Sequence, residues 1–315
     1  MSTSVAQKAG LIAAADKCIF ALKPFLEFTK LFSTNYAPQN GEKYSGIAVE
    51  VLASDSEEFA ENSANYCHST NTIAPALVQL TNHRKSTFTV SDKDAIENEL
   101  APCLSMFGPK AAEAVGKYAV QSIMALLTYT ARAAAITQAT IAALADFTAL
   151  WGKAVAAGYD PRRCVLILTP NAYASLLAVL PAYVIGDDQI LRSAMIGEFL
   201  GFKAVVPAPN ASKVSGAAVE DVSPENGFGF IVPEGAIATA NRILTPLREG
   251  GGLVEFSTAT DEATGFSMGF RTVVDACNGK VSWTAECLWG AALAKQSLTA
   301  GGTNGAPGFL QLVTA

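Results

Sequence analysis

The sequence predicts an α+β fold, and three patterns carry that prediction. Cys164-Val-Leu-Ile-Leu168 is a continuous apolar run typical of a buried strand, and a turn at 169–171 leads from it into a helix at 172–180. Apolar residues recur at steps of three and four between 109 and 135, which predicts a long helix. Three alternating segments within 253–290 predict strands. The 315 residues suffice for roughly two domains of about 150 residues each.

The first 43 residues are predicted to form an N-terminal arm, although a second interpretation stays open. Large apolar residues follow helical spacing in this segment, namely Phe25, Phe28, Leu31 and Phe32. A helix of this kind either belongs to the core of the subunit or lies as an arm on a neighbouring subunit. Turn-forming residues from 35 to 41 end the segment.

Residues 44–92 are predicted to form an extended loop built as a β-hairpin. The alternating segments 47–51 and 86–90 are expected to be its strands. The polar stretch 54–72 lies between them and holds four carboxylates, on Asp55, Glu57, Glu58 and Glu61. A polar excursion of this length has few means of packing on its own compact domain, so we expect it to contact a neighbouring subunit.

The middle of the chain is predicted to contain two consecutive helices and then a separate α/β unit. Pro109 suits the first turn of a helix that is expected to end near Ala135. A second helix is expected at 136–157, ending before Gly158. Strands are expected after it, at 164–168, 201–207 and 227–232. Strand, helix and strand in this order indicate an α/β domain over 136–240.

The last part of the chain is predicted to return to the first domain as strands. Residues 93–135 and 241–300 are therefore grouped together. Asn278-Gly279 is a strong signal for a hairpin turn between two of the closing strands. The glycine-rich tail, residues 301–315, is expected to be irregular.

Composition indicates that the surface is buried extensively in contacts between subunits. Only 16% of the residues are charged, against about 25% in ordinary soluble domains. A membrane, an unusually large core or large interfaces would each explain this deficit. The best candidate for a membrane span, 133–151, contains Asp146 and is flanked by Arg132 and Lys153, so the membrane explanation fails. The net charge of −6, with both signs scattered, does not indicate a nucleic-acid reader.

One pattern in the sequence matches a catalytic motif. Gly265-Phe-Ser-Met-Gly269 matches the nucleophile elbow of serine hydrolases, which would make Ser267 the nucleophile. Both histidines, His68 and His83, precede it, whereas that mechanism needs a later one. The alternation of apolar residues also continues a strand through the serine, so we expect no catalytic residues.

No metal or cofactor site is expected either. Cys67, His68, His83 and Cys103 lack the spacing of a structural zinc site, and no phosphate-binding glycine motif is present. The six cysteines form no C-x-x-C pair and are expected to be reduced and mostly buried.

Several segments resemble the major capsid proteins of tailed bacteriophages of the Hong Kong 97 (HK97) type. The resemblance rests on Cys164 to Tyr173, on Ile196 to Pro207 and on Gly227 to Ala240, which are similar to the axial domain of that family. The order of the other elements fits as well: an N-terminal arm (1–43), an extended loop (44–92), a spine helix within a peripheral domain (93–135 and 241–300), an axial domain (136–240) and a tail (301–315).

The resemblance implies a structural protein that is not an enzyme and that assembles with itself into hexamers and pentamers of an icosahedral shell. Such a shell forms in the bacterial host cytoplasm and becomes the phage head around double-stranded DNA, with a portal, a separate scaffold and in some cases decoration proteins as partners. The chain starts almost directly with the arm, so no cleaved scaffold segment is expected. Neither Lys43 nor Lys85 aligns with a cross-linking lysine. An encapsulin-like nanocompartment shell, which shares the architecture, is the alternative.

Overall fold

The computed structural model describes most of two β-sheets and the helices that pack on them. The described residues are 15, 17–20, 22, 26–35, 47–52, 73–91, 93, 97, 100–127, 134–138, 143–180, 198–199, 201–208, 227–244, 253–275, 277–293 and 309–314. The strands are β1 (Ser33–Asn35), β2 (Ile47–Leu52), β3 (Ile73–Val78), β4 (Asn82–Ser91), β5 (Ala134–Gln138), β6 (Cys164–Leu168), β7 (Ala204–Pro207), β8 (Gly227–Pro233), β9 (Ile237–Arg242), β10 (Leu253–Thr260), β11 (Ser267–Asp275), β12 (Lys280–Leu293) and β13 (Leu310–Thr314). The longer helices of the described residues are α1 (Leu100–Met124), α2 (Leu144–Ala156) and α3 (Pro170–Val179).

The six-stranded sheet is organised around the long strand β12. Its order is β1-β9-β12-β11-β10, and β4 also pairs with β12. The first half of β12 lies between β11 and β4, and its second half pairs with β9. The predicted turn between β11 and β12 is present, with Gly279 at a φ of 56° and the Asp275 carboxylate accepting from the backbone N–H groups of Cys277 and Asn278.

The five-stranded sheet has the order β5-β13-β8-β6-β7. All five residues of the predicted strand β6 are buried, and α3 follows the strand directly. Thr169 caps that helix, because its hydroxyl accepts from the N–H of Ala172 at 3.4 Å, and Pro170 occupies the first helical position. The two sheets and the three helices confirm the predicted α+β class.

The long helix differs from its prediction at both ends. α1 begins at Leu100 and ends at Met124, so Pro109 lies inside it and the predicted end near Ala135 is wrong. A proline inside a helix removes one backbone hydrogen bond, but tertiary packing holds the turn around Pro109 in place. Gly108 lies so close to the Trp283 ring that a Cβ there would come within 2.9 Å of it.

Among the strands that were not predicted as such, β3, β5 and β13 each depend on a partner from another part of the sequence. Residues 134–138 form β5 and not a helix, since they pair with β13 of the supposedly irregular tail. The partner of β2 is β3 and not the expected segment 86–90. That segment belongs to β4 and pairs with β12.

Gly290 shows how closely the chain after β3 is joined to the six-stranded sheet. A Cβ at this position would lie 2.0 Å from the carbonyl oxygen of Gln79, which is backbone and cannot swing aside. We expect Gly290→Ala to lower the free energy of unfolding by about 2–4 kcal/mol, as overpacking of a core does. Chemical denaturation of the purified subunit measures this.

Gly152 provides the matched control for that substitution. It lies within α2 and a Cβ there meets nothing within 4 Å. Gly152→Ala should therefore leave stability unchanged or raise it by up to about 1 kcal/mol. Equal effects at the two glycines would contradict the close approach of Gln79 to β12.

Candidate assembly surfaces

The β2–β3 pair is an antiparallel ladder whose base, at Val78, packs on the six-stranded sheet. Ile47 pairs with Val78 at its base and Leu52 pairs with Ile73 at its far end, where residues 53–72 connect the strands. Neither strand pairs with a strand of the larger sheets. Val78 and the following Leu80 are buried with residues of β9 and β12. The predicted hairpin thus exists, with β3 as its second strand, and residues 53–72 lie outside the described residues.

The N-terminal segment packs into the core of its own subunit where it is described. Leu22 and Phe32 are fully buried, and Phe28 contacts Phe32 edge to face at 5.4 Å between ring centroids. Phe28 and Phe32 pack on the five-stranded sheet, whereas β1 pairs with β9 of the six-stranded sheet. Of the two interpretations of the segment, packing in the core of the subunit therefore applies to its described residues between 15 and 32. Residues 1–14 lie outside the described residues.

Four large apolar side chains are exposed among the described residues. Trp151 and Val155 lie one turn apart on α2, with 43% and 45% of their surface accessible, and Gly152 lies on the same outer side of the helix. Phe20 and Phe107 are the other two. The exposed face of α2 is uncharged at these positions. Apolar surface grouped in this way is typical of protein–protein contact, which agrees with the interface burial expected from composition.

A charged network joins three strands on the face of the six-stranded sheet opposite α1. Glu286 is buried and receives hydrogen bonds from the Arg271 guanidinium, while its second carboxylate oxygen lies 3.5 Å from Nε2 of His83. Arg271 also donates to the carbonyl oxygen of Leu244 at 3.3 Å. The buried carboxylate is therefore matched by a cation, and the network links β4, where the hairpin enters the sheet, to β11 and β12.

The opposite side of β4 faces α1 and is basic. The Arg84 guanidinium lies over the Tyr118 ring, 3.7 Å from its centroid, and donates to the Tyr118 hydroxyl. Along α1, Lys110 and Lys117 flank Glu113 at 3.1 and 2.7 Å. These two ammonium groups hold the pKa of Glu113 below its usual value, mainly through hydrogen bonds from Lys117 and then Lys110.

The geometry around Ser267 does not resemble a nucleophile elbow. Ser267 is the first residue of β11 and pairs with Thr260 of β10, so a strand follows the serine where a nucleophile elbow has a helix. Its hydroxyl lies 2.9 Å from that of Thr260 and 3.4 Å from the carbonyl oxygen of Gly265. Neither group is a base that could activate it.

Other reactive groups are buried or dispersed in the part of the chain that is described. Cys18, Cys164 and Cys287 are buried free thiols, as expected, and Cys277 is exposed. Burial raises the pKa of Cys18 and of Cys164 to about 12 and that of Cys287 still further, so these thiolates scarcely form at neutral pH. Within the described ranges there is no cluster of three or more metal-binding side chains and no helix long and apolar enough to cross a membrane.

Comparison with solved structures identifies the fold. A chain from the capsid structure of the cyanophage P-SCSP1u superposes with a TM-score of 0.52 and 12% identity, covering 91% of this chain and 88% of that one. A chain from the head structure of the Helicobacter pylori bacteriophage KHP40 superposes with a TM-score of 0.52 and 15% identity, covering 89% and 86%. No protein-family model and no curated protein matches the sequence.

These likenesses cover nearly the whole of each chain, so they concern the complete architecture and not one shared motif. This chain has the α+β fold of the phage capsid chains to which it is similar. The resemblance inferred from the sequence is confirmed at the level of the fold.

Proposed function

We propose that this chain is a major capsid protein that assembles with itself into the icosahedral head of a tailed phage around double-stranded DNA. The observation that carries the proposal is the capsid fold over about nine-tenths of the chain. In this proposal α1 is the spine helix, the six-stranded sheet forms the peripheral domain and the five-stranded sheet forms the axial domain. Portal, scaffold and decoration proteins are its further partners, and the virion is its location.

Three features of the subunit support a structural role. The hairpin β2–β3 pairs with neither of the two larger sheets, the outer face of α2 is apolar, and charged residues are scarce. Each of these is expected of a subunit that buries surface on its neighbours. Ser267 lacks a base among the described residues, so the hydrolase alternative gains no support. The similar structures reported above come from phages, so the encapsulin-like alternative gains none from them.

Electron microscopy of the purified chain tests the proposal directly. We expect closed shells of uniform size, made of hexamers and pentamers. Chains that stay monomeric at every concentration and salt condition, with or without the other head proteins, would contradict it.

Shortening the hairpin should separate folding from assembly. Leu52 and Ile73 are directly paired, so residues 53–72 can be replaced by the two-residue turn Asn-Gly without changing the register of β2 and β3. We expect subunits whose melting temperature is within about 4 °C of the parent, a shift that corresponds to at most about 1 kcal/mol. We also expect these subunits to form no closed shells in electron micrographs. Normal shells would show that residues 53–72 make no essential contact.

A further inference from the structure

We propose that Asn278 is a site of spontaneous deamidation and that the Asp275 carboxylate slows this modification in the folded subunit. The inference concerns the chemistry of one turn and holds whether or not the subunit forms a shell. Three observations carry it: an exposed Asn-Gly bond, the hydrogen bonds that hold the asparagine, and the negative charge already present beside it.

The reaction uses only the chain itself and water. The backbone nitrogen of Gly279 attacks Cγ of Asn278, so a new C–N bond forms and the bond from Cγ to Nδ2 breaks. Nδ2 leaves as ammonia, together with the proton that the Gly279 nitrogen gives up, and a succinimide ring remains. Water then adds to one of the two ring carbonyl carbons and breaks its bond to nitrogen. The product is aspartate or isoaspartate, depending on which carbonyl reacts.

The Asn278-Gly279 bond is accessible in the folded subunit. Both residues lie in the turn between β11 and β12, whose base is the pair formed by Asp275 and Lys280, and Asn278 is exposed there. Glycine has no Cβ that could shield its own backbone nitrogen from the asparagine side chain. Solvent water can therefore reach the amide, and the attacking nitrogen carries the least possible steric hindrance.

Asp275 holds both the side chain and the backbone of Asn278. Its Oδ2 accepts from Nδ2 of Asn278 at 2.6 Å, and its Oδ1 accepts from the backbone N–H groups of Cys277 and Asn278 at 3.1 and 3.3 Å. Ring closure requires the side chain of Asn278 to turn against its own backbone until Cγ meets the Gly279 nitrogen. Because one carboxylate binds both parts, this movement must first break hydrogen bonds to an ionised acceptor, which are stronger than neutral ones.

The charge on Asp275 is maintained by the same contacts. The hydrogen bond from the Asn278 side chain lowers the pKa of Asp275 below its usual value, and the backbone N–H groups of Asn278 and Cys277 add to this effect. The carboxylate is therefore ionised at neutral pH, where it can hold the asparagine.

Deamidation would remove the hold and open the turn. The new carboxylate at position 278 would face the carboxylate of Asp275, so repulsion between two anions would replace the present hydrogen bond. Isoaspartate would also lengthen the main chain inside a turn that joins directly paired residues, Asp275 and Lys280. The modification is thus one that the folded turn resists and that damages the turn once it occurs.

Peptide mass spectrometry after incubation at neutral pH measures the rate at each Asn-Gly pair. The sequence contains four such pairs, which begin at Asn40, Asn226, Asn278 and Asn304. In the chain unfolded in guanidinium chloride, Asn278 should react at a rate similar to the other three, because the reaction is local. In the folded subunit its rate should be at least about fivefold below its own unfolded rate, a factor within reach of the hydrogen bonds that must break.

Two substitutions at Asp275 and a matched control identify the protecting group. Asp275→Ala should raise the rate at Asn278 in the folded subunit by at least about fivefold. Asp275→Asn, which keeps the shape and loses the charge, should also react faster than the parent, and it decides the matter if Asp275→Ala does not fold. The control Asp160→Ala removes another exposed aspartate that caps a turn, where its Oδ1 accepts from the N–H of Arg162 at 3.1 Å. It should leave the rate at Asn278 unchanged, and circular dichroism confirms that each variant is folded.

Three results would overturn the inference. The first is an Asn278 that reacts as fast in the folded parent as in the unfolded chain. The second is a folded Asp275→Ala or Asp275→Asn variant whose rate equals that of the parent. The third is an Asn278 that stays unmodified even in the unfolded chain while the other three pairs react.

Discussion

Phe32→Ala should lower the free energy of unfolding of the subunit by about 3–5 kcal/mol, a large part of the 5–15 kcal/mol that holds a typical domain together. The ring is fully buried among Val165, Ile167 and Phe230 on the five-stranded sheet. Truncation leaves a cavity in a region bounded by rigid strands, which cannot collapse to fill it. Chemical denaturation of dissociated subunits measures the loss.

Phe20→Ala is the matched control, because it makes the same change twelve residues earlier in the same segment. That side chain is 76% exposed, so its loss should alter stability by less than about 0.5 kcal/mol. If Phe32→Ala left stability unchanged but prevented assembly, the segment would act as an arm on a neighbour and not as part of the core. The two substitutions therefore test the core position that the structure gives to Phe32.

The elements that the sequence predicted well are those specified by their own residues. The apolar run at β6, the turn at 169–171 that leads into α3, and the Asn278-Gly279 turn all form locally, so their patterns were sufficient. The N-terminal segment shows the limit of this reasoning. Its helical spacing is the same whether Phe28 and Phe32 face their own sheet or a neighbour, and only the tertiary structure distinguishes the two.

The sequence predicted that the subunit has assembly surfaces, but it did not predict where on the subunit they lie. A charge content of 16% indicated that much surface is covered by other subunits, but it named no face. The outer side of α2, with Trp151 and Val155, was missed because the apolar spacing of that helix is equally typical of a core helix. The contact between Arg84 and Tyr118 was missed because the two residues are 34 positions apart in sequence and meet only when β4 packs on α1.

Ending the chain at residue 308 should abolish the folded state, although the sequence of the tail suggests an irregular segment. The removed residues include β13, which lies between β5 and β8 and pairs with both. Phe309, Leu310 and Leu312 are fully buried, and the rings of Phe309 and Phe230 are in contact at 5.7 Å between centroids. Losing each of these side chains costs about 2–5 kcal/mol, so together they match the stability of a whole domain.

The truncated chain also exposes two strand edges that were interior, which favours aggregation. We therefore expect insoluble protein, or soluble protein that limited proteolysis digests at once and that shows no cooperative thermal transition. A chain that ends at Thr314 keeps every residue paired with β5 and should behave like the parent. A folded, protease-resistant chain ending at 308 would show that β5 and β8 close the sheet without β13. The tail contributes a central strand because β5, which precedes it by some 170 residues, supplies the parallel edge on which it pairs.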